Sequence, residues 1–297
     1  MRAIRIIMKQ LLYTFLLVSM TVSVFAQQTN IGVRAGLNYS TFLGPLETVA
    51  GAEGESKGFS NGFHFGISYQ YNYVDNLGLR FELLYIQNGS IKKYKGPSYY
   101  VLRSANLTSF EKGDADLFLD TSIGNLSLPI TLHYKAHEKI EVLAGVYASF
   151  SISPTANGAL DFDSTDNPDD VFFSQSLFYR YYGDEPLDYE LNGGTTTVFR
   201  GDEQIFIPEV AKAYSQFTDD EVDGSPYKVI DIGLIAGANY YFNRGFYAGT
   251  RLSYGFIDLT KDDQDFSLSE FQTPTTHITR NDRDTHFGLE FSLGFKF

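Results

Sequence analysis

Eight stretches of the chain alternate apolar and polar residues with a period of two, and the connections between them are short and long by turns. The runs are 30–40, 61–73, 77–88, 122–135, 140–152, 227–242, 246–258 and 285–297. In the second, Phe63, Phe65, Ile67, Tyr69, Tyr71 and Tyr73 share one face, with His64, Gly66, Ser68, Gln70 and Asn72 on the other. Period two is the strand period, because successive side chains of a strand point to opposite faces. Each run has the roughly 9–11 residues that a tilted strand needs to cross a bilayer, and eight is an even number. The short connections are 74–76, 136–139 and 243–245; the long ones are 41–60, 89–121, 153–226 and 259–284. Alternating tight turns and long loops predict an all-β fold. The expected form is an eight-stranded antiparallel up-and-down transmembrane β-barrel with long extracellular loops.

A soluble barrel or sandwich would show the same period with the apolar face inward. Here the polar face is mostly Gly and Ser with a few Arg and Glu, which suits the crowded inside of a narrow barrel better than a solvated exterior. The chain has 21 Tyr and 26 Phe, and several stand at strand ends, as an interfacial aromatic girdle requires. A ten-stranded alternative would use 171–182 and 195–207 as a further membrane hairpin. The acidic 183–194 between them is long for the tight turn that hairpin would need.

Residues 1–26 carry Arg2, Arg5 and Lys9, then an apolar stretch from Leu11 to Phe25, with Val24 and Ala26 placed for cleavage before Gln27. That pattern predicts a secretory signal peptide over 1–26 and a barrel domain over 27–297. The formal net charge is -13, so a nucleic-acid partner is not expected. With no Cys there is no disulfide framework, thiolate metal site, thiol nucleophile or lipidated cysteine. A mean hydropathy of -0.17 excludes a polytopic helical membrane protein.

The strand faces predict an inward set of charges: Arg34, Arg80, Glu82, Glu141, Asp231, Arg251, Glu290 and Lys296. Four of each sign in a confined space point to mutual pairing and a plugged interior. The competing expectation is a small passive pore lined by the same groups. His64, His133 and His286 also face inward. They are expected to be hydrogen-bonded filler, because no Ser or acid is set beside them by spacing and no G-x-S-x-G occurs. A rim-located lipid-modifying enzyme is the reading that would need such partners.

The connection 153–226 holds sixteen acids against Arg180, Arg200 and Lys212, and forms a long acidic insertion. Within it 171–182 and 195–207 look strand-like, and Pro208 followed by Glu209, Val210, Ala213, Tyr214 and Phe217 predicts a short amphipathic helix. Asp161, Asp163 and Asp166, and Asp219, Glu221 and Asp223, are weak calcium candidates. A solvated acidic loop is preferred, since the twelfth position of the apparent EF-hand loop is Ile230. No cofactor is expected.

Five stretches resemble the PorT-like outer-membrane β-barrel proteins of the Bacteroidetes: GVRAGLNYS (32–40), GFHFGISY (62–69), LSLPITLHY (126–134), DIGLIAGANYYF (231–242) and RLSYGFIDL (251–259). The closing FGLEFSLGFKF, ending in Phe297, is similar to the terminal strand signal read by the barrel-assembly machinery. The resemblance implies an eight-stranded barrel in the cell outer membrane, in contact with outer-membrane lipid. It implies little about activity, beyond one member's tie to protein secretion. The resulting expectation is a non-enzymatic anchor whose surface loops contact an envelope or secretion partner, or a ligand.

Overall fold

The computed structural model describes residues 29–49, 52–103, 108–167, 171–183, 194–214, 224–273 and 276–297. The expected signal segment and its Ala26–Gln27 cleavage site lie outside them. The described residues contain no helix.

Sixteen strands follow in order: β1 (Thr29–Leu43), β2 (Thr48–Val49), β3 (Ala52–Glu53), β4 (Glu55–Val74), β5 (Leu77–Arg103), β6 (Thr108–His137), β7 (Ile140–Ser164) and β8 (Phe172–Arg180). Then come β9 (Thr195–Arg200), β10 (Glu203–Pro208), β11 (Val210–Ala211), β12 (Ile230–Tyr241), β13 (Phe246–Gly255), β14 (Phe266–Thr273), β15 (Thr276–Thr279) and β16 (Thr285–Lys296). Eight of them pair in the cycle β1-β4-β5-β6-β7-β12-β13-β16 and back to β1, all antiparallel. This is the expected ring of eight. The ten-strand alternative fails, because β8 pairs with the far half of β7, β9 and β10 form a separate hairpin, and β7 pairs with β12 to complete the ring.

Around the ring the apolar faces point outward. Ile31, Leu37, Phe65, Ile67, Ile130, Leu132, Leu234, Leu252 and Leu293 are all exposed, while Arg34, His64, Arg80, Glu82 and Arg251 are buried. A soluble barrel has the opposite arrangement; this one suits a hydrocarbon surround. Aromatic rings gather at the short-turn end, where Tyr71–Tyr73, Tyr240–Phe242, Phe242–Phe246 and Phe295–Phe297 pack with centroids 5.0–5.4 Å apart. A second belt nearer the other end includes Tyr39–Phe291 and Phe59–Phe287.

The expected loop 89–121 is largely strand, and the start of 153–226 continues β7. β5 and β6 stay paired without a register shift from Leu77↔Tyr134 to Arg103↔Thr108, and β7 remains paired with β6 as far as Gly113↔Ser164. β6 has 30 residues, or on the order of 100 Å at about 3.3 Å per residue. Close to half of it stands beyond the ring.

The polarity of the strands reverses on the way. Along β6 the outward residues are Leu126, Leu128, Ile130 and Leu132 within the ring, but Asp114, Asp116 and, under Lys93 Nζ, Phe118 beyond it. The inward residues change from Ser127, Thr131 and His133 to Ala115, Leu117 and Leu119. A single β-sheet thus passes from a lipid-facing pattern to a water-facing one. The extension has its own core of Tyr94, Tyr100, Leu102, Ala115, Leu160, Phe162, Phe173 and Leu177.

The helix expected after Pro208 does not form over the described 208–214. Ser176 N donates to Glu209 O, Glu209 N donates to Gly194 O, and Val210–Ala211 pairs in parallel with β8. These sheet bonds satisfy backbone groups that a first helical turn would leave open, and Ala211 and Ala213 are buried against the extension.

Candidate functional site

Inside the ring the charged side chains form two groups stacked along the barrel axis. Nearer the short turns, Arg80 on β5 donates to Glu141 on β7 and to Gln70 at 2.8 Å. Glu141 also accepts from Asn239 at 2.8 Å, and His133 Nδ1 lies 3.3 Å from it. At mid-barrel, Arg251 on β13 grips Glu82 bidentately, Nη1 to Oε2 at 2.6 Å and Nη2 to Oε1 at 2.8 Å. Arg34 on β1 donates to Glu82 at 3.2 Å, Glu290 at 2.8 Å and Ser292 at 2.9 Å. The structure therefore brings six of the eight expected charges together. Asp231 instead accepts from the Tyr147 hydroxyl at 2.7 Å, and Lys296 sits over the Tyr241 ring, 5.1 Å from its centroid. Phe297 follows β16, its N–H donating to Ile31 O at 2.8 Å.

Two inward histidines do have serine partners: His64 Nε2 lies 2.8 Å from Ser292 Oγ and His286 Nε2 lies 3.0 Å from Ser253 Oγ. Sequence spacing gave no sign of either pair, because each joins residues on different strands, His286 to Ser253 between the paired β13 and β16. Arg34 also crowds the His64 ring, at 3.2 Å. The space beside Ser253 and His286 is about 10 Å³, room for about one water molecule. A lipid ester does not fit there.

At the long-strand end of the ring Phe42, Ile123 and Leu259 close over the interior, with Tyr227 packed on them. Above this floor lies a cavity of about 270 Å³. Its sheet wall is built by the inverted faces of the strands: Leu117 and Leu119 from β6, Leu160 and Phe162 from β7, Leu177 and Tyr179 from β8. One side carries a chain of tyrosines in edge-to-face contact. Tyr179–Tyr181, Tyr181–Tyr214 and Tyr181–Tyr227 have ring centroids 5.8, 5.9 and 5.4 Å apart. Burial raises the hydroxyl pKa of Tyr179, Tyr181 and Tyr227, so these groups stay neutral.

The opposite side is polar, and its charges are countered. Lys57 pairs with Asp284, Lys92 lies 3.5 Å from Glu55, and Arg280 bridges Glu55 at 2.9 Å and also Asp282. Burial works against the charge on Lys92, yet Glu55 and Asp265 hold its pKa above the ordinary value. Burial likewise opposes ionisation of Glu55, but Lys92 and Arg280 bring its pKa below the carboxylate norm. Burial pushes Asp265 up to about 7 against the pull of Lys92 and Arg280, with Asp282 adding to the rise.

Of the calcium candidates, the described ones, Asp161, Asp163 and Asp166, do not come together with other ligand-type residues. Asp161 and Asp163 project from the outer face of β7, Asp166 lies past its end, and Asp219, Glu221 and Asp223 are outside the described residues. Among the described residues, the carboxylates with ligand-like spacing are Asp265, Asp282 and Asp284. Lys57 and Arg280 already engage two of them. The cavity itself escaped the sequence reading, which had marked 171–182 and Tyr214 only as candidate strand and helix; the sign that would have revealed its β6 wall is the alternation of 113–121 with its polarity reversed.

The family described as outer membrane protein beta-barrel domain matches residues 25–261. The chain belongs to that family. No curated protein matches this outer-membrane barrel. Among solved structures it is similar to Ail, the attachment invasion locus protein of Yersinia pestis, at 10% identity over 91% of this chain and 99% of that one, with a TM-score of 0.35. It is also similar to Neisserial surface protein A at 12% identity over 90% and 97%, TM-score 0.31. OprG from Pseudomonas aeruginosa matches at 9% over 91% and 96%, TM-score 0.29.

Proposed function

We propose that this outer-membrane barrel is a non-enzymatic, non-conducting anchor that holds a binding domain on the cell surface. The observation that carries the reading is the continuity of β5, β6 and β7 from a charge-locked ring into the wall of a cavity whose floor, Phe42, Ile123 and Leu259, separates it from the barrel interior. A pore needs a continuous polar path, and the floor interrupts one. An enzyme needs a nucleophile beside space for its substrate, and the Ser253–His286 pair has about 10 Å³. The long-strand end faces outward, since short turns lie on the periplasmic side of such barrels. The acidic outer faces of β6 and β7 then meet water outside the cell. The finer kinship with PorT-like barrels, and any part in protein secretion, rests on the five sequence stretches alone.

The test is single-channel recording in planar bilayers with the intact protein and with a variant lacking 153–226. Both are expected to stay silent, because the ion-pair groups remain in each. Steady open currents from the intact protein would overturn the reading.

A further inference from the structure

The cavity can be read for what it would hold. Its sheet wall is apolar and ring-lined, from Leu117, Leu119, Leu160 and Phe162 to the tyrosine chain of Tyr179, Tyr181 and Tyr227. Aromatic walls in edge-to-face register favour flat, rigid bodies, which offer ring faces and edges of their own. A sugar would leave several hydroxyls against Leu and Phe without partners, and that is costly. A charged ligand gains little, because Lys57, Lys92 and Arg280 already have carboxylate partners that it would have to displace. An apolar cavity of about 150 Å³ takes one benzene ring, so about 270 Å³ suits a body near two fused rings. Ser90, Ser98, Thr121 and Thr260 line the same space; each hydroxyl has a partner in the chain, and its oxygen can still accept from a ligand hydroxyl.

We infer that the chamber above the barrel is a binding site for an uncharged, flat, two-ring aromatic molecule carrying a hydroxyl group. The inference rests on the surface-binding reading above, and it names the ligand class for that binding domain. The rings lie against the β6–β7–β8 wall among the tyrosines, and the hydroxyl points to the polar side.

Equilibrium dialysis of the full chain in lipid nanodiscs against 2-naphthol tests it, with empty nanodiscs subtracted for partition into lipid. Decanol, a disaccharide and naphthalene-2-sulfonate serve as flexible, polar and anionic comparisons. The expected result is saturable one-site uptake of 2-naphthol, at least tenfold tighter than of the other three. Ala115→Phe and Leu119→Trp, both of which add bulk to the wall, are expected to weaken it at least tenfold while retaining the heat-modifiable gel shift of a folded barrel. If a variant does not fold, hydrogen exchange of the native chain decides: 2-naphthol should slow exchange in 115–121 and 177–181. Uptake no greater than by empty nanodiscs, equal binding of any comparison compound, undiminished binding by a folded variant, or protection elsewhere would each overturn the inference. Silent bilayers with no naphthol uptake would remove the ligand class alone, whereas steady currents would remove the binding reading beneath it.

Discussion

Glu82 is the point at which the interior network can be broken with a single atom-for-atom change. Its two oxygens accept from Arg251 at 2.6 and 2.8 Å and from Arg34 at 3.2 Å, and all three side chains are buried. Glu82→Gln keeps the shape but removes the negative charge between two guanidiniums and turns an amide N–H toward one of them. Arg34 retains Glu290 at 2.8 Å, so the loss falls mainly on Arg251. Breaking a buried ion pair from one side costs roughly 3–5 kcal/mol, a large share of a typical folding stability of about 5–15 kcal/mol. Urea unfolding in phospholipid vesicles, followed by tyrosine emission and gel mobility, measures it. With a slope of about 1–3 kcal/mol/M, the midpoint should fall by at least about 1 M with the slope unchanged. Removing both sides together in Glu82→Leu/Arg251→Met should restore most of the loss, because the buried charge goes with its partner. A Glu82→Gln protein within about 1 kcal/mol of the parent would refute the claim that this carboxylate compensates the two arginines.

Two further outcomes follow from the packing of β1 and of the polar side of the cavity. A Cβ at Gly36, on the inner face of β1, would fall inside the van der Waals envelope of the Phe291 carbonyl on β16; Gly36→Ala should cost about 1–3 kcal/mol or more and shrink the folded, heat-modifiable band. Asp265 is raised to about 7 by burial, so in the folded chain it binds more protons than an unfolded Asp between about pH 4 and pH 7. The stability it contributes is present at acid pH and is lost as the pH rises through about 7. Asp265→Asn should therefore slow proteolysis of the segments beyond the ring at pH 8.5 and change little at pH 5, with Lys92, Arg280 and Asp282 still facing the site; equal rates of both proteins at pH 8.5 would contradict this.

The ring was legible in the sequence because eight runs keep one phase and one polarity: the outward positions within them are apolar with few exceptions, such as Thr250. The extension was legible only in part: 171–182 and 195–207 read as strand-like and hold β8, β9 and most of β10, whereas the continuations of β6 and β7 did not show, for two physical reasons. β6 keeps its phase beyond residue 122 but exchanges its polar and apolar sides, so Asp114, Asp116 and Asp120 read as loop acids although they stand at strand positions opposite Pro97, Lys95 and Ile91. β7 changes phase as well. A bulge near Ile152, opposite Gly124 and Asn125, moves the buried positions from Glu141, Leu143, Tyr147 and Ser149 to Ala156, Leu160, Phe162 and Ser164. The fifth run accordingly ends at 152 in the sequence, where the strand itself continues to 164. The inner charges could be picked out from phase alone. Their partners could not, because Arg34 meets Glu290 and Arg251 meets Glu82 only after the ring forms. The Ser–His pairs were missed for the same reason.

The unbroken pairing of β5 with β6 also has a mechanical consequence. Along β5, β6 and β7 the ring runs into the domain above it without a linker, so the two share one set of hydrogen bonds across the membrane boundary. The length of a strand then acts as a ruler. Height above the bilayer is set by residue count, and two residues inserted into each of β5 and β6, opposite one another, would lift the tip by about 7 Å. The tilt of the barrel in the bilayer becomes the tilt of the chamber, and its rotation about the membrane normal becomes the rotation of whatever the chamber holds.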